Sequence, residues 1–199
     1  MSTITFNLHL ISDGEIGSGL GNEVVNDILA RDHQGRLVLR GSHIKGLLRA
    51  QIEAIRSIRD WPVLLDVQCF GRGGENGDDG VLASIRVSDA GSKGKVKVRS
   101  ITRSSLTELG VVHGATLRTS EAVAAGAVFS GEVCIAEGAP MAVELAVRLA
   151  LLSLEAVGGG RSRGGGACRV EIAGETRGPG DLLKALDIEI GKGLKPGER

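Results

Sequence analysis

This chain carries no excess charge that would advertise a partner. Its 24 basic and 24 acidic residues cancel, so no global field draws it toward nucleic acid, and any polyanion site must come from local segregation of charge. Cysteine is sparse as well. Cys69, Cys134 and Cys168 lie far apart and in no CxxC arrangement, which argues against a sequence-local zinc site or a disulfide framework and reads as small buried or half-buried side chains. No long hydrophobic run is present either. The longest apolar stretch, residues 141 to 157, is broken by Glu144, Arg148 and Glu155, and the opening MSTITFNLHLIS has no basic segment leading into a long apolar core. The expectation is a soluble, cytoplasmic protein without a membrane span.

What is present is a globular composition, 42% hydrophobic and 24% charged over 199 residues, which fits one domain spanning residues 1–199 with inserted loops. Charge is segregated locally: Arg36, Arg40, Lys45, Arg49, Arg56 and Arg59 crowd one region, and Lys93, Lys95, Lys97, Arg99 and Arg103 another. Such runs are also what an ordinary solvated face looks like. The most informative segment is Gly158-Gly159-Gly160-Arg161-Ser162-Arg163-Gly164-Gly165-Gly166. Its six glycines permit positive φ and close backbone approach, while Arg161 and Arg163 place two permanent cations in one tight loop, which suits a polyanion. The alternative is a flexible linker, but linkers favour Gly with Ser and no clustered Arg.

Hydrophobic periodicity orders the chain. Residues 3 to 11 alternate as a strand with Ile4, Phe6, Leu8 and Leu10 on one face, and a Gly-studded segment from 12 to about 35 is too long for a mere connector, which marks it as a functional loop. Leu37 to Leu39 form a short strand. Ser42 reads as the N-cap of a helix from His43 to about Arg59 whose stripe is Ile44, Leu47, Leu48, Ile52, Ile55 and Ile58. Lys45 and Arg49 sit near its positive end, which is unfavourable unless an anion binds there or solvent screens a small penalty. Residues 71–80 form an irregular, mobile loop after Trp61-Pro62. Strands follow at 81 to 87 and, as KVKVRSI, at 95 to 101. Residues 102–124 suggest a projecting hairpin, 127 to 135 a strand, and 141 to 157 a helix apolar nearly all round, opened by Pro140. A last core strand spans 167 to 172, and the tail 178–199 is weakly ordered apart from a short helix at 181 to 186. This order suits an α+β, ferredoxin-like (RRM-like) sheet with helices on one face. The glycine loop follows a helix and precedes a strand, the reverse of the Rossmann and P-loop order.

Four segments in register resemble the RAMP superfamily of CRISPR-associated proteins. Gly41-Ser42-His43-Ile44-Lys45-Gly46-Leu47-Leu48-Arg49 is similar to its G-S-S-x-K-G-x-x-R signature, Ser88-Asp89-Ala90 to its SDA segment, residues 121 to 129 to its E-x-V-x-x-G-x-x-F stretch, and residues 158 to 166 to its glycine-rich loop. Within the superfamily the segments resemble the repeated backbone subunit of type III effector complexes of the Csm or Cmr kind. The resemblance implies an antiviral defence role binding guide (crRNA) and target RNA through phosphate and 2′-hydroxyl contacts. Its implied partners are neighbouring copies or paralogous RAMP subunits, a large polymerase-like subunit and a small helical subunit. Ser42, His43, Lys45 and Arg49 match the RNA-tracking helix start, and Gly159, Gly160, Arg161, Ser162, Arg163 and Gly164 the glycine loop. Residues 102–124 correspond to a protruding thumb hairpin, with His113 at its middle.

Cutting subunits of the family carry a loop aspartate in a context like V-D-N-P-V-I-R-D. Here the stretch is Val25-Asn26-Asp27-Ile28-Leu29-Ala30-Arg31-Asp32, with acid and amide exchanged, so that Asn26 stands at the aligned position and Asp27 is the catalytic candidate only if the loop slides by one residue. Cutting there would use Mg2+ or Mn2+, making the chain a metal-dependent endoribonuclease; the alternative is that Asp27 and Asp32 cap turns. A second reading is a guide-RNA processing endoribonuclease of the same superfamily, using His33 or His43 without a metal. A third is a nucleotide- or small-molecule-binding domain using the glycine loop.

Overall fold

A computed structural model describes residues 1–21, 25–73, 80–104 and 117–193. The alternation at the N-terminus becomes β1 (Ser2–Leu10), with Ile4, Phe6, Leu8 and Leu10 buried along one face. It lies between β7 (Val128–Ile135) and β8 (Cys168–Ile172), antiparallel to both. β7 also pairs with β3 (Ile85–Val87) and β4 (Ala90–Ser92), and β2 (Val38–Leu39) extends the sheet beyond β4. The spatial order is thus β2-β4-β7-β1-β8, with β3 beside β7. In β8 the burial alternates residue by residue, as a sheet with one covered face requires.

Among the described residues four α-helices complete the domain: α1 (Gly41–Arg59), α2 (Leu64–Phe70), α3 (Met141–Leu152) and α4 (Pro179–Gly191). α3 is central, as its all-round apolar sequence predicts. Ala142, Val143, Leu145, Ala146, Val147, Leu149, Ala150 and Leu151 are all buried, and the helix packs on α1, α2, α4 and β8. A separate antiparallel ribbon is formed by β5 (Val98–Arg103) and β6 (Arg118–Val123). The architecture is a mixed α/β domain with an antiparallel sheet; among the described residues no helix is long and apolar enough to cross a membrane.

Several boundaries differ from the sequence reading. α1 begins at Gly41, so Ser42 lies inside its first turn and makes no capping bond. The cap comes from far away in sequence: Asp89 Oδ1 accepts the Gly41 N–H at 2.7 Å. Ile58 is 83% exposed, because the last turn of α1 runs past the core. α2 forms where the chain after Trp61-Pro62 reads as irregular, and α3 ends at Leu152 rather than 157. β3 and β5 are shorter or later than the strands expected at 81 to 87 and 95 to 101, leaving Lys95 and Lys97 outside the ribbon. The tail expected to be weakly ordered from 178 carries the 13-residue α4, opened by Pro179, a residue suited to the first helical position. Residues 105–116 of the hairpin segment, including His113, and 74–79 of the loop at 71–80 lie outside the described residues.

Candidate functional site

The long segment after β1 is stitched into the fold. Ser18 N–H donates to the Ile28 carbonyl (2.7 Å), Ile28 N–H to that of Leu20 (2.9 Å) and Ala30 N–H to that of Ile16 (3.3 Å), folding the segment back on itself, while Ile16, Leu29 and Ala30 are buried. Glu121, the acid of the E-x-V-x-x-G-x-x-F stretch, reaches across from β6 and accepts the Leu29 N–H at 3.0 Å. Val123 and Phe129 of the same stretch are core residues. Glu121 thus fastens the segment to the β5–β6 ribbon.

This arrangement separates Asn26 from Asp27. Asn26 is committed to β6: its Oδ1 accepts the Thr119 N–H at 2.8 Å and its own N–H donates to the Thr119 carbonyl at 2.7 Å. Asp27 lines a cleft, where its Oδ1 accepts the Gly19 N–H at 3.3 Å and its carboxylate lies so close to Gly17 that a Cβ there would overlap it. Asp32 is elsewhere and caps a turn, accepting from Gln34 N–H and Arg36 N–H at 2.9 Å each and pairing with Arg36 Nε at 2.8 Å. His33 is an exposed residue of that same turn.

The glycine loop forms the opposite wall. Arg161–Arg163 make one exposed 3-10 turn flanked by Gly160 and Gly164, both left-handed (φ 71° and 78°). Gly158 (φ 81°) passes so near the Glu15 carbonyl that no side chain fits, and Gly159 N–H donates to that carbonyl at 2.8 Å. Ser12 fastens the far side, its Oγ donating to the Gly164 carbonyl (2.7 Å) and accepting the Ala167 N–H (2.9 Å). The glycines therefore serve internal packing first, and the turn with its two arginines is what they present outward.

The third wall is the start of α1. The cleft, of about 510 Å3, is lined by Glu15, Gly17, Asp27, Arg40, Ser42, His43, Gly158 and Gly159 together with Ile16 and Leu39. His43 Nε2 accepts the Gly158 N–H at 3.3 Å, joining α1 to the glycine loop. Desolvation, and then the nearby Arg161 cation, push the His43 pKa below the ordinary histidine value, so the ring is neutral at pH 7 with its proton on Nδ1. Burial would raise the Glu15 pKa, but hydrogen bonds from Ser120 and Arg103 and the charges of Arg103 and Arg163 outweigh it and leave it lowered. Glu15 is an anion tied to the ribbon.

Of the residues singled out in sequence, Asp27, Ser42, His43 and Gly159 line one cleft, with Gly160, Arg161, Ser162, Arg163 and Gly164 on the adjoining turn. Lys45 and Arg49 do not line it. Arg49 turns toward α2, where it stacks 5.1 Å from the Phe70 ring centroid, donates to the Gly71 carbonyl and faces Asp66 at 3.8 Å. The two basic regions are partly neutralised: Arg36 pairs with Asp32, Arg59 with Asp187, Arg99 with Asp13 and Arg103 with Glu15. Arg40 and Glu15 were missed as cleft residues, and Asp89 as the helix cap. The SDA motif held the only sequence signal for Asp89. No group of three or more His, Cys, Asp or Glu placed to hold a metal occurs among the described residues; a magnesium-like ion at Asp27 would draw its remaining ligands from phosphate and water, as Mg2+ commonly does.

A family model, the RAMP superfamily, matches residues 7–169, and the chain belongs to that family. No curated protein matches it significantly in sequence. Among solved structures it is similar to a chain of the type III-B Cmr-beta complex in the apo state (TM-score 0.66, 12% identity, covering 87% of this chain and 98% of that one). It is likewise similar to a chain of the Cmr-beta complex bound to cognate target RNA (TM-score 0.67, 12% identity, covering 92% and 99%). At this identity the likeness establishes the fold.

Proposed function

We propose that this protein is an RNA-binding backbone subunit of a type III CRISPR effector complex, built on a ferredoxin-like sheet, with the cleft carrying the sugar–phosphate backbone of a guide RNA. The observation that supports this most is the convergence of three sequence-remote segments, 15–27, 40–43 and 158–159, on one cleft. Its donors are of the kind that read a backbone and not a base sequence: the Arg40 guanidinium, the Ser42 hydroxyl and, at its edge, Arg161 and Arg163. A chain of zero net charge needs such a local site, since long-range attraction is absent. The β5–β6 ribbon is the base of a thumb that meets the paired target. Like the Cmr-beta chains it resembles in fold, the protein works beside other subunits of an effector complex.

Asp27 is the residue of this cleft suited to cutting target RNA. Mg2+ or Mn2+, when bound, would neutralise charge developing on the scissile phosphate. Asp27 itself is held against Gly17 by the Gly19 amide, where its carboxylate can accept a hydrogen bond from a 2′-hydroxyl. In assembled complex supplied with Mg2+, Asp27→Ala abolishes cutting and leaves target binding intact, whereas Asp32→Ala, which removes only a turn cap, leaves both unchanged. The binding assignment is tested by ultraviolet cross-linking of co-purified RNA followed by peptide mapping. Cross-links fall within residues 40–43 and 158–164; cross-links confined to α4 or to the open face of the sheet would contradict it.

A further inference from the structure

Residues 13–15 touch both features that the proposed RNA path uses. On one side, the Glu15 carboxylate accepts Arg103 Nη1 at 2.6 Å and Ser120 Oγ at 2.7 Å, one group from each strand of the ribbon. Gly14 exchanges both backbone hydrogen bonds with Val123 (2.9 and 2.8 Å), and Asp13 accepts Arg99 Nη1 and the Ala125 N–H at 2.9 Å each. On the other side, the Glu15 carbonyl accepts the Gly159 N–H and the Asp13 carbonyl the Gly166 N–H, both at 2.8 Å. Gly160 lies so close that a Cβ there would sit 3.1 Å from Glu15 Oε1. Glu15 thus grips the ribbon with its side chain and the glycine loop with its backbone. Its side chain is only 14% exposed, and it carries the wrong sign for a cleft meant to hold phosphate. An anion kept in such a place needs a reason other than ligand contact.

We propose that Glu15 is a positioning residue that fixes the β5–β6 ribbon at one spacing from the glycine loop, so that a strand seated in the cleft and the bases presented to the ribbon are held in register. The register rests on the RNA-binding reading above; the mechanical coupling does not. Two measurements on the full-length chain separate them. The first needs no RNA: in Arg103→Ala, altered only at the ribbon, the Gly159 and Gly166 amides exchange hydrogen faster than in the wild type, and the charge-swapped pair Glu15→Arg with Arg103→Glu restores protection. Unchanged exchange in Arg103→Ala would overturn the inference.

The second measurement uses a single-stranded oligoadenylate. Simple electrostatics predicts that Glu15→Gln, by removing a negative charge from the cleft, binds RNA more tightly. Positioning predicts the opposite sign: affinity falls on the order of threefold to tenfold, the scale of coupling between neighbouring groups. The salt slope stays unchanged because every phosphate keeps its cation. The double variant Glu15→Gln with Arg103→Ala is then no weaker than the weaker single variant. Tighter binding by Glu15→Gln would refute positioning while leaving the RNA-binding reading in place. A wild type that fails to bind would refute that reading and leave the exchange result to decide the coupling.

Discussion

Single glycines and single carboxylates decide the shape of this cleft. Gly17 exists as glycine because the Asp27 carboxylate fills the space of a Cβ; Gly17→Ala therefore pushes Asp27 aside, and assembled complex with this substitution is expected to lose target cutting as fully as Asp27→Ala while still retaining target in a pull-down. Gly46 has the opposite character. It sits within α1 with nothing near its missing Cβ, so Gly46→Ala raises stability by roughly 0.5–1 kcal/mol through its helix propensity, measurable as a higher urea midpoint. The difference in what their missing side chains face is hidden in the sequence, because what a glycine makes room for is a tertiary fact. The glycine run 158–166 is legible as a tight, cation-bearing loop, yet its close approach is to Glu15 and Val157, which no local pattern announces. The exchanged Asn26-Asp27 pair was legible only as an ambiguity. The structure separates them through Thr119, a partner more than ninety residues away.

At the scale of elements, periodicity served well where an element crosses the core. β1, β7, α3, β8 and the buried stripe of α1 through Ile52 lie where alternation or three-to-four spacing puts them. Leu48 is fully buried, and Leu48→Ala is expected to cost roughly 2–5 kcal/mol in denaturant unfolding, whereas Ile58→Ala, at the same apparent stripe but exposed, changes stability by less than about 0.5 kcal/mol. Periodicity failed at ends and in short pieces. The seven residues of α2 span too little chain to establish a helical period, and the α1 cap is supplied by Asp89 instead of the adjacent Ser42 that capping statistics favour.

A further anchor of the domain is ionic. Glu175 joins α3 to the turn before α4, accepting Arg148 Nη1 at 3.3 Å and Arg177 Nε and Nη2 at 2.8 Å each. The Arg177 hydrogen bonds hold its pKa down at about 2, from an ordinary 4.5. Because the folded pKa is lowered, the unfolded chain binds more protons between those values. The contribution is fully present above about pH 4.5 and is lost as pH falls toward 2. Urea midpoints taken between pH 6 and 3 should fall less steeply in Glu175→Gln than in the wild type; parallel curves would contradict the assignment.

For the whole molecule, a balanced overall charge conceals a directional surface. Much of the basic charge that stands out in sequence is spent on internal pairs with Asp13, Glu15, Asp32 and Asp187, which leaves Arg40, Arg161 and Arg163 around the cleft as the cations of consequence. The family could be read from four motifs in register, and the motifs prove to be joints: Asp89 caps α1, Glu121 pins the long segment and the glycine loop closes on Glu15. Arg40 stands out in sequence only as one of a crowd of basic residues, because it precedes the helix and belongs to no motif. The claim that these cations hold an RNA backbone is tested most directly by titrating two unrelated single-stranded RNAs across a salt series with the wild type and with Arg40→Ala combined with Arg161→Ala. The account predicts that both RNAs weaken by the same factor and that the log–log salt slope becomes shallower by about 0.7 for each phosphate that is no longer neutralised; an unchanged slope with full affinity in the double variant would contradict it.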